Sequence, residues 1–261
     1  MLREFIDHIP FWWMEFTCIS VLILTTCGAA FISSRFFSVP NEKEYIARSN
    51  SVIAILSGGF SVLLAFIIIT TWNYLLKAQD NAAQEANSLA IMMSNIKVFP
   101  ESPQMKLTQA IRNYTVTVRT NEWESMQHGK ESPYTVQAIK ELYDAMQSFT
   151  PVTKMEQLYY SQALINLNAI RKFRRDRINQ LDAVIPGQIS AALIIGSIML
   201  TLTLGLMRGN SKISDLIPII IFAMVLGFNL AIALSFDFPF SGEISVKNKF
   251  FYNGILGTFK D

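Results

Sequence analysis

Four apolar runs dominate the chain. They extend from about Phe11 to Ile32, Ser51 to Leu76, Ala183 to Met207 and Leu216 to Phe236. Each reaches the roughly 20 residues that a helix needs to cross a bilayer. The first holds a single acid, Glu15, near its start, and opens on Trp12 and Trp13, residues suited to a membrane interface. The other three carry no charge. The leader before the first run is not basic, because Arg3 is offset by Glu4 and Asp7, and the run exceeds a signal-peptide core, so a retained helix is expected. "LTTC" before Gly28 only loosely matches a lipoprotein cleavage box.

Between the second and third runs the pattern turns polar but stays helical. "KAQDNAAQEANSLAIMMSNIKVF" has no Gly or Pro until Pro100. One helix is therefore expected from about Ser49 to Phe99, roughly 75 Å long at about 1.5 Å per residue. "ESP" then occurs twice, at Glu101-Ser102-Pro103 and Glu131-Ser132-Pro133. In each, serine suits the cap and proline the first helical position, where its missing N–H costs nothing. Gly129 suits the end of the intervening helix. Thr153-Lys154-Met155-Glu156 reads as a capping box. A last long helix, with Leu167, Ile170, Ile178 and Leu181 at helical spacing, is expected to feed the third span, kinked at Pro186. No segment reads as a strand.

The second run has a further pattern. Gly58, Gly59 and Ser61 permit close helix approach. An apolar stretch from Val62 to Ile69 follows, and then Thr70, Asn73, Lys77, Asn81 and Gln84 recur on one face. Two readings stand. The helix lines an oligomer axis, with a hydrophobic constriction opening into a polar vestibule, or it packs inside a monomeric bundle with its polar stripe solvated below the membrane.

Composition agrees with membrane insertion. The 261 residues are 51% hydrophobic with mean hydropathy +0.31, and 16% charged, against about 25% charged in a soluble domain. Net charge is only +2, which gives no case for nucleic acid. Cys18 and Cys27 lie on one predicted helix, roughly 13 Å apart along its axis, too far for a disulfide within the chain. His8 and His128 are isolated, and no HExxH, CxxC or Walker-type loop occurs, so no metal, cofactor, catalytic residue or enzymatic activity is expected.

The distribution of charge sets an expected orientation. Four spans put both termini and the intervening domain on one side. That side holds 17 of the 22 Lys and Arg, and the other holds Arg35, Lys43, Arg48, Arg208 and Lys212. Lys77, Lys247 and Lys249 lie close to span ends, so that side is read as cytoplasmic. The densest cluster is "RKFRRDR", where Arg171, Arg174 and Arg175 fall within about 100° of one helical face. It suits either a basic collar pairing with headgroups and the domain's acids, or an electropositive vestibule that gathers anions before a pore. Glu15 and Asp215 sit near span ends within reach of water, and Asn229 is expected to bond a neighbouring helix.

Several stretches in order resemble the bestrophin-like domain proteins of bacteria, formerly a domain of unknown function and distant relatives of bestrophin channels. They are "SVLLAF" at Ser61–Phe66 with Trp72, "QEA" at Gln84–Ala86, Tyr114 and Val118, "NEWESMQHG" at Asn121–Gly129, "RKFRRDRI" before Pro186, and "DFPFSGEISV" at Asp237–Val246. The resemblance implies an all-α integral membrane protein: four transmembrane helices with a helical cytoplasmic domain inserted between spans two and three. The expected division is an N-terminus over 1–10, spans one and two over 11–76, the helical domain over 77–185, spans three and four over 186–236, and a C-terminal segment over 237–261. It further implies an oligomeric, anion-permeable ion channel, whose partners are membrane lipids, inorganic ions such as chloride, and three or four further copies of the chain, in a bacterial inner membrane. The second span would line the pore, with Leu63, Phe66 and Thr70 at a hydrophobic neck that gates by dewetting. Asn73 and Lys77 would form its mouth, Arg171, Arg174 and Arg175 an electropositive vestibule. No acidic run follows the last span, so the calcium clasp of animal bestrophins is not expected. Asp237, Pro239 and Gly242 are expected to form a fixed turn, with Asp237 accepting backbone N–H bonds or pairing with a basic residue near Arg171–Arg177. The rival reading is a membrane-anchored helical interaction or sensory scaffold that conducts nothing.

Overall fold

The structure is a computed structural model that describes residues 3, 7, 9–36, 42–207 and 213–260, without the side chains of 42–50 and 213–215. Glu4, His8, Arg208 and Lys212 therefore lie outside the described residues, as do the side chains of Lys43, Arg48 and Asp215. Among the described residues every regular element is helical. Four helices are long and apolar enough to cross a membrane: α1 (Phe11–Phe36), the first part of α2 (Glu42–Asn95), α7 (Gly187–Leu206) and α8 (Ile213–Ser235). Between the second and third lie α3 (Glu101–Thr117), a π-helical turn (Val118–Glu122), α4 (Trp123–Gln127), α5 (Pro133–Gln147) and α6 (Lys154–Ile178).

The long helix is one piece. α2 has 54 residues and ends in a short 3-10 turn at Ile96–Val98, so it spans roughly 80 Å. Beyond the membrane half, Ala78, Ala82, Ala86, Leu89 and Met92 form an inward face at helical spacing, and most are fully buried. The alanines let α6 lie close alongside. Asn81 Nδ2 donates to Gln180 Oε1 at 2.8 Å, which fixes the register of the pair near the membrane. Leu107, Ile111 and Tyr114 of α3, Leu142 and Met146 of α5, and Leu167 and Ile170 of α6 complete this core, joined by Phe251 and Leu256 of the C-terminal segment. A second, membrane core gathers Met14 and Leu22 of α1, Leu193 of α7, and Ala223, Leu226 and Leu230 of α8.

Several local expectations met a different geometry. α6 does not run on into the third span. It stops at Ile178, and eight residues pass before α7 starts at Gly187 with Pro186 at its cap, so Pro186 begins a new helix instead of kinking an old one. The first ESP does not cap either: α3 already starts at Glu101, leaving Ser102 within its first turn. The second ESP does place Ser132 at the cap and Pro133 at the first position, yet the Ser132 hydroxyl is buried without a hydrogen bond. The capping box is formed in full, with Glu156 N–H donating to Thr153 Oγ1 at 3.1 Å and Glu156 accepting from Thr153 N–H. Gly129 follows α4 at φ 71°, a conformation costly for any residue with a Cβ.

The close helix approaches fall elsewhere than Gly58 and Gly59, around which there is open space. They occur at Gly205, where an added Cβ would run into the Thr26 carbonyl oxygen, and at Gly227 against the Ile19 backbone at 2.8 Å. Small residues thus weld α1 to α7 and α8, while the glycines of the second span are unused within the chain. Asn229 donates to the Val225 carbonyl of its own helix at 2.8 Å instead of bonding a neighbour.

Candidate functional site

The membrane half of α2 stands apart from the other spans. Only 11% of its most apolar window is buried inside the chain, against 28%, 33% and 39% for the others. Leu63, Phe66 and Thr70 lie on its open side, and Phe66 is 66% exposed. The Thr70 hydroxyl bonds back to the Phe66 carbonyl at 2.8 Å, which leaves it no free donor toward the helix surface. Asn73 and Lys77 continue this face and are exposed, as is Gln84. Asn81 leaves the stripe. It is buried against Gln180, because the chain emerging from α6 crosses α2 at that level.

The turn after α8 is built from the inside. Asp237 is 1% exposed, and its Oδ1 accepts the Ile185 N–H at 2.7 Å while its carbonyl accepts the Val184 N–H at 3.0 Å. These bonds satisfy two amides of the break between α6 and α7, where no helix supplies acceptors. Val246 N–H closes the loop onto the Pro239 carbonyl at 2.9 Å, and Ser241 Oγ donates to the Gln127 carbonyl at 2.6 Å. Gly242 adopts φ 79°, and its N–H donates to Asp7 Oδ1 at 3.1 Å. Phe11 N–H donates to Glu243 Oε2 at 2.9 Å. The turn therefore ties the N-terminal residues, the start of α7 and the helical region to one point. Asp237 faces amides and the Arg3 charge, and takes no partner from Arg171–Arg177; Arg3 itself lies over the Phe238 ring, 4.7 Å from its centroid. Burial pushes the Asp237 carboxyl up from its ordinary value, although both amides and Arg3 pull the other way.

A buried ion network that no motif in the sequence announces joins α2, α3, α4 and α6. Arg177 and Glu85 are both 0% exposed and paired at 2.9 Å, and Arg177 also reaches Glu122 Oε2 at 2.7 Å. Arg174 joins Glu122 from the side and Glu131 at 2.9 Å. The Tyr114 hydroxyl donates to Glu85 Oε1 at 2.7 Å. The Arg177 guanidinium lies 5.1 Å from the Trp123 ring centroid. Burial works against both arginine charges, but the facing carboxylates more than offset it and hold their pKa values above the ordinary range. Burial, then Glu85 and Glu122, push Tyr114 well up, so it stays a donor. The π-turn makes this possible by bringing Val118, Arg119 and Glu122 inward together. Arg119 then holds the C-terminal segment, donating to the carbonyls of Phe251, Leu256 and Phe259. The signal lay in the sequence: Glu85, Glu122, Arg174 and Arg177 all sit in the stretches that carried the resemblance, but nothing in their spacing says that they meet.

Of the three vestibule residues, Arg174 has its charge matched by Glu122 and Glu131. Arg171 lies over the Tyr143 ring at 5.0 Å, and Arg175 is exposed. Among the described residues no group of His, Cys, Asp and Glu is arranged to hold a metal ion.

Four spanning helices, one of them continuing as a buried stalk into a helical bundle, define an all-α membrane protein. Residues 20–251 match the bestrophin-like domain, and the chain belongs to that family. No curated protein and no solved structure matches it.

Proposed function

We propose that the chain is one subunit of an oligomeric, anion-permeable channel in the bacterial inner membrane. Both termini and the helical domain between spans two and three face the cytoplasm, and the second span lines the pore. The observation that carries the reading is the uncovered membrane face of α2. An apolar helix that its own chain leaves almost bare needs lipid, or further copies of itself, around it. Gly58 and Gly59, with open space around them, suit contact between copies. Family membership adds the channel-like role. In this arrangement Leu63, Phe66 and Thr70 form the neck, and Asn73 and Lys77 the cytoplasmic mouth. Arg171 and Arg175 supply positive potential below it, with Arg174 in its ion pairs behind them. Asp237, Pro239 and Gly242 anchor the spans to the domain.

The test is ion flux from liposomes loaded with chloride and reconstituted with the purified protein. Wild type conducts weakly or on stimulus, and Phe66→Ala raises the flux by widening a dewetting constriction. Absence of flux from both, across several ions and voltages, overturns the channel and leaves the membrane-anchored scaffold.

A further inference from the structure

A cleft of about 520 Å³ opens along α6, with Arg174 of the buried ion network and its partner Glu131 among its lining residues. Its polar lining comes from Asn168, Arg171, Lys172, Arg174, Arg175 and Asn179 of α6 and its C-terminal end, together with Glu131. Ile139 and Ile178 add apolar lining. The one carboxylate here, Glu131, is already engaged with Arg174 at 2.9 Å. Arg171, Lys172 and Arg175 have no ion-pair partner among the described residues. Asn168 accepts from the Tyr143 hydroxyl at 3.4 Å through Oδ1, which leaves its amide N–H groups as donors. The Arg171 guanidinium is steadied over the same tyrosine ring. The cleft thus presents mainly donors and positive charge, with three cations that have no ion-pair partner among the described residues against one partly exposed carboxylate, Glu131, which shares Arg174 with Glu122. Its size falls in the range of small-molecule pockets, about 300–1,000 Å³, and exceeds what a single halide fills. Asn168 to Asn179 spread these donors over roughly 16 Å of helix, which suits a ligand with several anionic groups.

The register of α6 against α2 locates the cleft relative to the bilayer. Trp72 packs on Phe236 at the end of the last span, with ring centroids 5.4 Å apart. Arg177 pairs with Glu85, 13 residues further along α2, roughly 20 Å from Trp72 along the axis. Even measured from Leu76 the gap is about 13 Å. The headgroup zone on each side of a bilayer is only about 5–8 Å deep. The Asn179 end of the cleft, beside Gln180 and so level with Asn81, lies only about 8 Å beyond Leu76, whereas Arg175, Lys172 and Arg171 stand progressively farther out, past the depth of a headgroup anchored in the membrane.

We propose that this cleft is a binding site for a soluble polyanion carrying phosphoryl groups, held by Arg171, Lys172 and Arg175 with the Asn168 and Asn179 amides. Planar guanidiniums bind tetrahedral oxyanions in two-point fashion, which distinguishes this ligand from a permeating halide. The site does not depend on conduction.

The test uses the full chain in nanodiscs of zwitterionic lipid, titrated with inorganic triphosphate by calorimetry. Saturable binding that weakens with salt is expected, and Arg171→Ala with Arg175→Ala weakens it about 30-fold or more. Arg171 and Arg175 are exposed, so the variant keeps the wild-type melting temperature without ligand. Arg175→Gln alone gives a smaller loss of the same sign. Lys97→Ala, at an exposed cation in the 3-10 turn that follows α2, leaves the affinity unchanged. No saturable binding by wild type, or equal binding by the double variant, overturns the site. Loss of triphosphate binding only when phosphatidylglycerol is added to the nanodiscs assigns the cleft to lipid headgroups and overturns the soluble ligand.

Discussion

The two halves of α2 share one backbone and almost nothing else. In the membrane half, Phe66 is 66% exposed and Val62 72% exposed. In the stalk half, Leu89 and Met92 are 0% exposed. The apolar atoms of the stalk are covered by α6, by the C-terminal segment and in part by α3 of the same chain. Those of the membrane half are left largely bare by the chain. A continuous helix thus joins a part whose stability is internal to a part whose environment lies outside the chain. Substitutions on it should split the same way.

The largest effect is expected at the ion network that anchors the stalk. Arg177→Leu leaves Glu85 with only the Tyr114 hydroxyl and Glu122 with only Arg174, and should cost about 3–5 kcal/mol, read as a drop in the melting temperature of the detergent-solubilised protein. A change under 1 kcal/mol would mean that water enters the site and the stalk is looser than its burial indicates. Next comes Leu89→Ala, expected to cost about 2–5 kcal/mol through lost burial and a cavity. Phe66→Ala, twenty-three residues away on the same helix, should fall within about 0.5 kcal/mol in the isolated subunit while changing ion flux. Equal destabilisation by the two would erase the distinction between the halves.

At the junction, Asp237→Ala removes the acceptor for the Ile185 N–H and should cost about 1–3 kcal/mol. Asp237→Asn keeps an acceptor and should cost less. The pH dependence has a definite sign. Burial raises the folded pKa of Asp237 above its ordinary value of 3.8, so this group's contribution is most favourable below that value. It declines as pH rises through the raised folded value. Asp237→Asn should remove that part of the slope in a melting curve taken from pH 3 to 7. The smallest effect is at the start of α6. Amides of Val152 and Thr153 lower the Glu156 pKa, so its capping contribution is present above the ordinary carboxylate range and is lost as pH falls through the lowered value. Faster amide exchange in the first turn of α6 at acid pH, absent in Glu156→Gln, would register it.

Much of this was legible along the chain. The four spans, the unbroken stalk, the capping box at Thr153 and the glycine turn at Gly129 each depend on neighbours within a few residues, and local pattern fixes them. The break between Ile178 and Gly187 was less so, because "NQLDAVIP" is a fair helical continuation until Asp237 arrives to take the Val184 and Ile185 amides. Asn81 read as part of a solvated stripe because its period matched Thr70 and Lys77. Only the crossing of Gln180 turned it inward.

What the sequence by itself determined, then, is the membrane class, the helical content and the family, since length, hydropathy and ordered local marks decide them. What the tertiary structure alone decided is where charge ends up. Arg174 and Arg175 are adjacent in sequence and both line the cleft, yet one is held by Glu122 and Glu131 and the other has no ion-pair partner among the described residues. A helix turns about 100° per residue, so neighbours point to different surroundings, and Coulomb energies follow those surroundings and not the order of the chain.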